Sequence, residues 1–291
     1  MSSAPIILVD ARNLMYRAIF ANKKDQKHGA RLHHFTVMAR FMWGWLDKFK
    51  PSGVCMFWDS KKDNLWRKKL LIDYKVRNEN EYFEDIRDDL IFTQAAARAI
   101  FEHMGVWQFF KDGMEADDLI YSACRVLSPR PLMIISTDAD YEQIIFRMQN
   151  VRLWNPMSDS GRGKFIGVPD HDPALAKALA GDKSDKIAGY YNIGPVKSAK
   201  LARDLIEREN FLKEHDRKIF IRNLLLIDLA LNPGLLKNDL YIQRVLADKH
   251  EFNKEQIVAM AKKHKVSGLI GEYDRIIMPF KLVLKRAREA V

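Results

Sequence analysis

Three short apolar runs in this chain each end on an acid. Residues 6–9 (Ile-Ile-Leu-Val) close at Asp10, and residues 54–58 close at Asp59. Residues 132–136 run through Thr137 into Asp138, with Asp140 two places on. Runs of this length, rich in aliphatic and aromatic residues and bounded by turn formers, read as strands buried on both faces. Residues 106–110 and 151–154 read the same way. Between the runs the apolar spacing is helical, over 14–20, 32–49, 91–104 and 141–147. Strands alternating with helices predict an α/β fold with a mainly parallel central sheet flanked by helices. In such sheets function gathers at the carboxyl ends of the strands, where these acids fall.

Composition narrows the classes. The chain has 291 residues, a net charge of +10 and 47% hydrophobic residues, enough for a sizeable core. No apolar run approaches the ~20 residues of a membrane span, and the start lacks the basic flank of a signal peptide. Cys55 and Cys124, the only cysteines, lie in apolar stretches. They read as buried reduced thiols of a cytoplasmic protein. A basic balance favours a polyanionic partner. From Lys61 to Arg77, basic residues interleave with Trp66 and Tyr74, a mixture suited to a nucleic-acid backbone and stacked bases; a solvated basic helix face is the plainer account. Phe35, Phe41, Trp43, Trp45 and Phe49 recur at helical spacing and read as core.

The acids concentrate. Glu115-Ala116-Asp117-Asp118 precedes an apolar helical run, and Gly181-Asp182-Lys183-Ser184-Asp185 breaks another. Alone, the first group reads as the acidic first turn of a surface helix, where the helix dipole favours negative charge. Together with Asp10, Asp59, Asp138 and Asp140, these carboxylates repel one another unless a counter-charge intervenes. With no His or Cys among them, a hard divalent cation, Mg²⁺ or Mn²⁺, fits better than Zn²⁺. Two such ions suit phosphodiester hydrolysis.

The order of these motifs resembles the flap endonuclease / 5′-3′ exonuclease family, which includes the 5′-nuclease domain of bacterial DNA polymerase I and phage 5′ nucleases such as the T-even ribonuclease H. Residues 7–10 with Tyr16-Arg17-Ala18, then 115–118, 136–140 and 181–185, carry the resemblance over roughly residues 5–230. It implies a PIN-like core over 1–180, with a helical arch at about 75–100, and a helical region over 181–291. It implies a first metal cluster of Asp10, Asp59, Glu115, Asp117 and Asp118. A second would hold Asp138, Asp140, Asp182 and Asp185, with Asp138 as the bridge. Lys75 in Tyr74-Lys75 matches the family's active-site lysine, so Lys75, Asp118 and Asp138 stand as catalytic.

Arg17 and Arg77 are implied phosphate contacts. Residues 187–201 resemble the helix–three-turn–helix element that grips duplex backbone through Gly194, Lys197, Ser198 and Lys200, its turn holding a K⁺ ion. The sequence departs from the family at Lys186, where Asn is usual, at Asn192, where Gly is usual, and at Arg77, which sits one place early. The implied function is metal-dependent cleavage near 5′ single-strand/duplex junctions in DNA or RNA–DNA hybrid, as in primer removal. The setting would be the cytoplasm of a bacterial or phage-infected cell, with the protein a monomer meeting replication proteins. A PIN-type single-strand ribonuclease and a junction-binding module with weak catalysis stay open. The basic C-terminal helix, with Lys281, Lys285 and Arg286 beside Phe280 and Leu284, reads as packed on the core with a wet basic face.

Overall fold

The structure, a computed structural model, describes residues 4–25, 34–76, 81–248 and 250–289. β1 (Ile6–Asp10) is the central strand of a six-stranded sheet. β2 (Gly53–Trp58) pairs with it in parallel, and β3 (Trp107–Phe110) extends that side. On the other side come β4 (Leu132–Ile135) and β5 (Val151–Asn155), also parallel. β6 (Lys164–Phe165) closes the edge antiparallel, as the second arm of a hairpin over the polar turn at 158–163. Strand order therefore reverses between β1 and β4.

Side chains alternate faces along each strand. Ile7, Val9, Val54 and Met56 enter one core; Ile6, Leu8, Cys55 and Phe57 enter the other. Both faces are apolar, so these strands read as unbroken hydrophobic runs. The first face is covered by α1 (Ala11–Asp25), α2 (His34–Phe49) and α3 (Glu81–Glu102). The second is covered by α4 (Ala116–Leu127) and α5 (Glu142–Arg147). Burying each large aliphatic or aromatic side chain contributes about 1.5–3 kcal/mol over leaving it exposed.

A third core lies beyond the carboxyl edge. α6 (Pro173–Ala180) starts with Asp172 capping and Pro173 in its first turn. A small hairpin follows, β7 (Gly181–Asp182) against β8 (Ile187–Ala188). Then come α7 (Pro195–Arg203), α8 (Leu205–Glu214) and α9 (Arg217–Ile227). Leu179, Ile193, Leu201, Leu212 and Leu226 pack there with Leu65 and Tyr74. The remaining helices return to the sheet layers. α10 (Leu235–Ala247) places Ile242 in the second core. α11 (Lys254–Lys263), α12 (Ser267–Gly271) and α13 (Tyr273–Glu289) place Ile257, Leu269 and Phe280 in the first. The described part of 181–291 is thus divided among three cores.

The expected arch at 75–100 is a core helix for much of its length. From Ile86 onward α3 buries Ala96, Ala97, Ile100 and the following Phe101. Residues 77–80, and Arg77 with them, lie outside the described residues.

Candidate active site

At the carboxyl end of the sheet, a cavity of about 270 Å³ is lined by Asp10, Asp59, Glu115, Asp117 and Asp138, with Arg12, Lys75 and Tyr141. Topology brings these acids together. Asp10 ends β1, Asp59 follows β2, Glu115 caps α4 after β3, and Asp138 caps a 3₁₀ turn, Ala139–Tyr141, after β4. Each is aimed by a hydrogen bond. Asp10 accepts from the Asn13 N–H at 2.9 Å and the Tyr141 hydroxyl at 3.2 Å. Asp59 accepts from the Ala116 N–H, in the first turn of α4, at 2.8 Å. Asp138 accepts from the Asp140 N–H at 2.9 Å.

Crowding marks the cavity electrostatically. Burial, then the charges of Asp59 and Asp138, push the Asp10 carboxyl up to about 7. Burial raises Asp117 well above the usual range, with Asp118 and Glu115 adding to the rise. Asp138 is raised by burial and by Asp140. Asp10, Asp117 and Asp138 resist ionisation together, and with neither His nor Cys in the lining they suit an oxygen-ligated divalent cation.

Asp118 has a different setting. Its side chain is fully buried and receives both terminal nitrogens of Arg67 at 2.9 Å, Trp66 Nε1 at 3.1 Å and the Glu115 N–H at 3.1 Å. Arg67 also donates to Glu115 Oε2 at 2.7 Å and to the Leu226 carbonyl oxygen at 2.7 Å. Only 1% exposed, Arg67 ties α4 to α9 and the third core. Glu115 further receives Lys75 Nζ at 2.5 Å and the Tyr74 hydroxyl at 3.0 Å. Despite burial, which raises it, Arg67 and Lys75 hold the Glu115 carboxyl below its ordinary value. Glu115, Asp117 and Asp118 each bring an oxygen within 4.8 Å of the others, but only Glu115 and Asp117 line the cavity.

Asp140, Asp182 and Asp185 form the neighbouring group, also within 4.8 Å of one another. Lys177 on α6 reaches into it, bonding Asp140 and lying 2.6 Å from Asp182 Oδ2. Burial raises Asp182, yet Lys177, the Ser184 hydroxyl and the Asp185 N–H bring it below its ordinary value. Lys75 Nζ is 3.7 Å from Asp185, and the Lys75 N–H donates to the Asp185 carbonyl at 3.2 Å. Lys75 has a φ of +54°, a left-handed conformation that costs a non-glycine residue on the order of 1 kcal/mol or more. Gly181, with φ +79°, sets Asp182; a Cβ there would lie 2.3 Å from the Gly189 nitrogen. Lys186 is also left-handed, with φ +62°, a conformation that Asn adopts more readily than Lys. Its side chain is exposed.

Comparison with known proteins decides the family. Residues 5–167, more than half of the chain, match the model for the 5′-3′ exonuclease N-terminal resolvase-like domain. The chain belongs to the 5′-3′ exonuclease family. It is 27% identical over 297 residues to a 5′-3′ exonuclease of Mycoplasma pneumoniae, covering 93% of this chain and 99% of the relative. It is 28% identical over 207 residues to the flap endonuclease Xni of Shewanella denitrificans, covering 67% of this chain and 76% of that one. A zinc-bound T5 5′-exonuclease superposes with a TM-score of 0.63 at 17% identity, covering 90% of this chain and 98% of the other. At that identity the likeness is one of fold. This member of the 5′-3′ exonuclease family is a nuclease whose fold is the expected PIN-like α/β arrangement.

Within this family member, the residues expected to meet nucleic acid scatter. Gly194 caps α7, and Asn192 before it has the left-handed φ of +55°. Lys197 and Lys200 are exposed, Lys200 2.9 Å from Glu207. Ser198 is buried, its hydroxyl donating to the Pro195 carbonyl. Arg17 lies over the rings of Phe41 and Trp45, outside the cavity lining. Arg12 lines the cavity instead, 3.7 Å from Asp59. Trp66 and Tyr74, which the sequence offers as a stacking surface, are buried, and so is Arg67 beside them. Sequence reasoning misses Arg12, Tyr141, Arg67 and Lys177. Arg12 carries a signal, since it opens the helix after a strand-ending acid. Arg67 and Lys177 carry none, because charge in sequence does not say which way a side chain turns. Cys55 and Cys124 are buried, and burial raises both thiols. Among the described residues no helix is long and apolar enough to cross a membrane.

Proposed function

We propose that this chain is a structure-selective 5′ nuclease that cuts DNA near the junction of a 5′ single strand with duplex, using Mg²⁺. The observation that carries the reading is the cavity at the strand-order reversal, where Asp10, Asp59, Asp117 and Asp138 converge beside Lys75 and Arg12. Asp10, Asp59, Asp117 and Asp138 would hold one ion, and Asp140, Asp182 and Asp185 a second. Bound divalent cations supply charge neutralisation and activation of the attacking water.

The chain's own groups do the rest. The Lys75 ammonium, held charged by Glu115 and Asp185 despite burial, holds the scissile phosphate and offsets the charge that develops on it. Arg12 faces the same space and offers a planar fork to a phosphate oxygen. The Tyr141 hydroxyl and the Asn13 N–H fix the Asp10 carboxylate. Asp118 is a positioning residue: with Arg67 it fixes the start of α4 and so aims Asp117 and Glu115. Duplex backbone lies along the start of α7, near Gly194 and Lys197, where contacts to phosphate carry no base sequence. Primer removal during replication, by a monomer acting on DNA or RNA–DNA hybrid, is the use this geometry suits.

The test incubates a 5′-flap duplex, a blunt duplex and a linear RNA single strand with Mg²⁺, with and without chelator. Flap cleavage that depends on the ion is expected, and Asp138→Asn is expected to abolish it while leaving flap binding intact. A flap bound but uncut with either Mg²⁺ or Mn²⁺ overturns the reading. Cleavage of the RNA single strand alone assigns the chain to single-strand ribonuclease chemistry.

A further inference from the structure

The two carboxylate groups balance their charge differently. The cavity group has Asp10, Asp59, Asp117 and Asp138, and Arg12 approaches Asp59 at 3.7 Å. Lys75 at the cavity bonds Glu115 and lies 3.7 Å from Asp185, whereas the second group holds a cation directly between two of its own carboxylates. Lys177 Nζ donates to Asp140 Oδ1 and lies 2.6 Å from Asp182 Oδ2. Lys177 belongs to the last turn of α6, and Asp182 lies in β7 directly after that helix, so the helix end delivers the ammonium to the acid that follows it. Asp182 is fixed from the other side, accepting from the Ser184 N–H at 2.8 Å and the Ser184 hydroxyl at 2.6 Å.

An ammonium hydrogen-bonded to two carboxylates occupies the space between their oxygens. A divalent ion ligated by those oxygens sits in the same space at ~2.0–2.6 Å. The two positive charges exclude one another. Resting on the metal-dependent reading above, we propose that Lys177 is the resident counter-ion of the Asp140/Asp182/Asp185 group and must swing out before a divalent ion enters it. The chain then binds one ion tightly in the cavity and a second more weakly, with Lys177 as the residue that sets the gap. The Lys177 side chain is 28% exposed, so it has solvent to move into.

An ion pair that only fastened α6 to the turn at Ala139–Tyr141 would leave the ion count untouched, and ion counting therefore separates the two roles. Mn²⁺ is titrated into the DNA-free full chain and free Mn²⁺ is read by electron paramagnetic resonance. The wild-type chain is expected to take one equivalent, then a second at least tenfold more weakly. Lys177→Met is expected to raise the second affinity at least tenfold with the first unchanged, and Lys177→Arg to keep the wild-type gap. Two wild-type sites of equal affinity, or a second site unchanged in Lys177→Met, overturn the inference while the nuclease reading stands. Absence of any bound ion overturns both.

A measurement on the wild-type protein covers the case in which Lys177→Met fails to fold. With ¹³C-labelled lysine and diamagnetic Mg²⁺, the Lys177 Cε resonance is expected to move with the second equivalent and not the first. A resonance that stays in place through saturation of both sites overturns the inference.

Discussion

Asp117 and Asp118 are neighbours in sequence and opposites in the fold. Asp118 is fully buried and meets a bidentate arginine, an indole N–H and a backbone N–H. Asp117 lines the cavity, and its nearest arginine contact is 4.0 Å from Arg67. One carboxylate is saturated by donors and fastens two packing units. The other keeps an unbalanced charge, which burial and its neighbours push toward protonation. A carboxylate's role here follows from the counter-charge that the fold delivers to it.

Breaking the fastener should have the largest effect. Arg67→Met leaves Glu115 and Asp118 buried without their partner, and loss of about 3–5 kcal/mol of stability is expected. Chemical denaturation measures it; a loss under 1 kcal/mol would mean that Arg67 is not the link between α4 and α9. Asp117→Asn should do the reverse. Melting temperature holds or rises as a repelling charge goes, while flap cleavage falls by on the order of 10²–10³-fold, the scale of a removed electrostatic group. A variant that cuts normally would place Asp117 outside the chemistry.

Gly181→Ala comes next. It forces a Cβ against the Gly189 backbone at a positive φ, and destabilisation of about 1–3 kcal/mol is expected together with weakened binding of the second ion. Unaltered melting and ion binding would show that the hairpin absorbs the change.

The pH profile sharpens the contrast further. Asp10 keeps its proton in the folded chain up to about 7, against 3.8 ordinarily. The folded state therefore binds more protons than the unfolded state between those values. In the metal-free chain the stability due to Asp10 is present below pH ~3.8 and is lost as pH rises through ~7. Added Mg²⁺ should raise the melting temperature more at pH 8 than at pH 5, and equal gains at both would contradict the crowding. The smallest effect belongs to Lys197→Ala, which should weaken flap binding a few-fold and reduce the salt dependence by about one counterion.

Much of the fold was legible because periodicity is local. The runs at 6–9, 54–58 and 132–136 became β1, β2 and β4, and those at 106–110 and 151–154 became β3 and β5. How far α3 packs into the core was not legible, because its apolar face needs α1, α2 and α11 to cover it, and pairing among distant helices is not written in a window of residues.

By itself, the sequence determined that acids stand at the ends of buried strands, since strand termini and turns are set by neighbours along the chain. Only the tertiary structure decided which acids share a cavity and which are spent on a cation. Arg67 meets Asp118 across 51 residues, and Lys177 meets Asp140 across 37. Coulomb interaction depends on distance in space and on local burial. Neither is fixed until the cores close, so the same residue type is a fastener at Asp118, an open cavity carboxylate at Asp117 and half of an internal ion pair at Asp182.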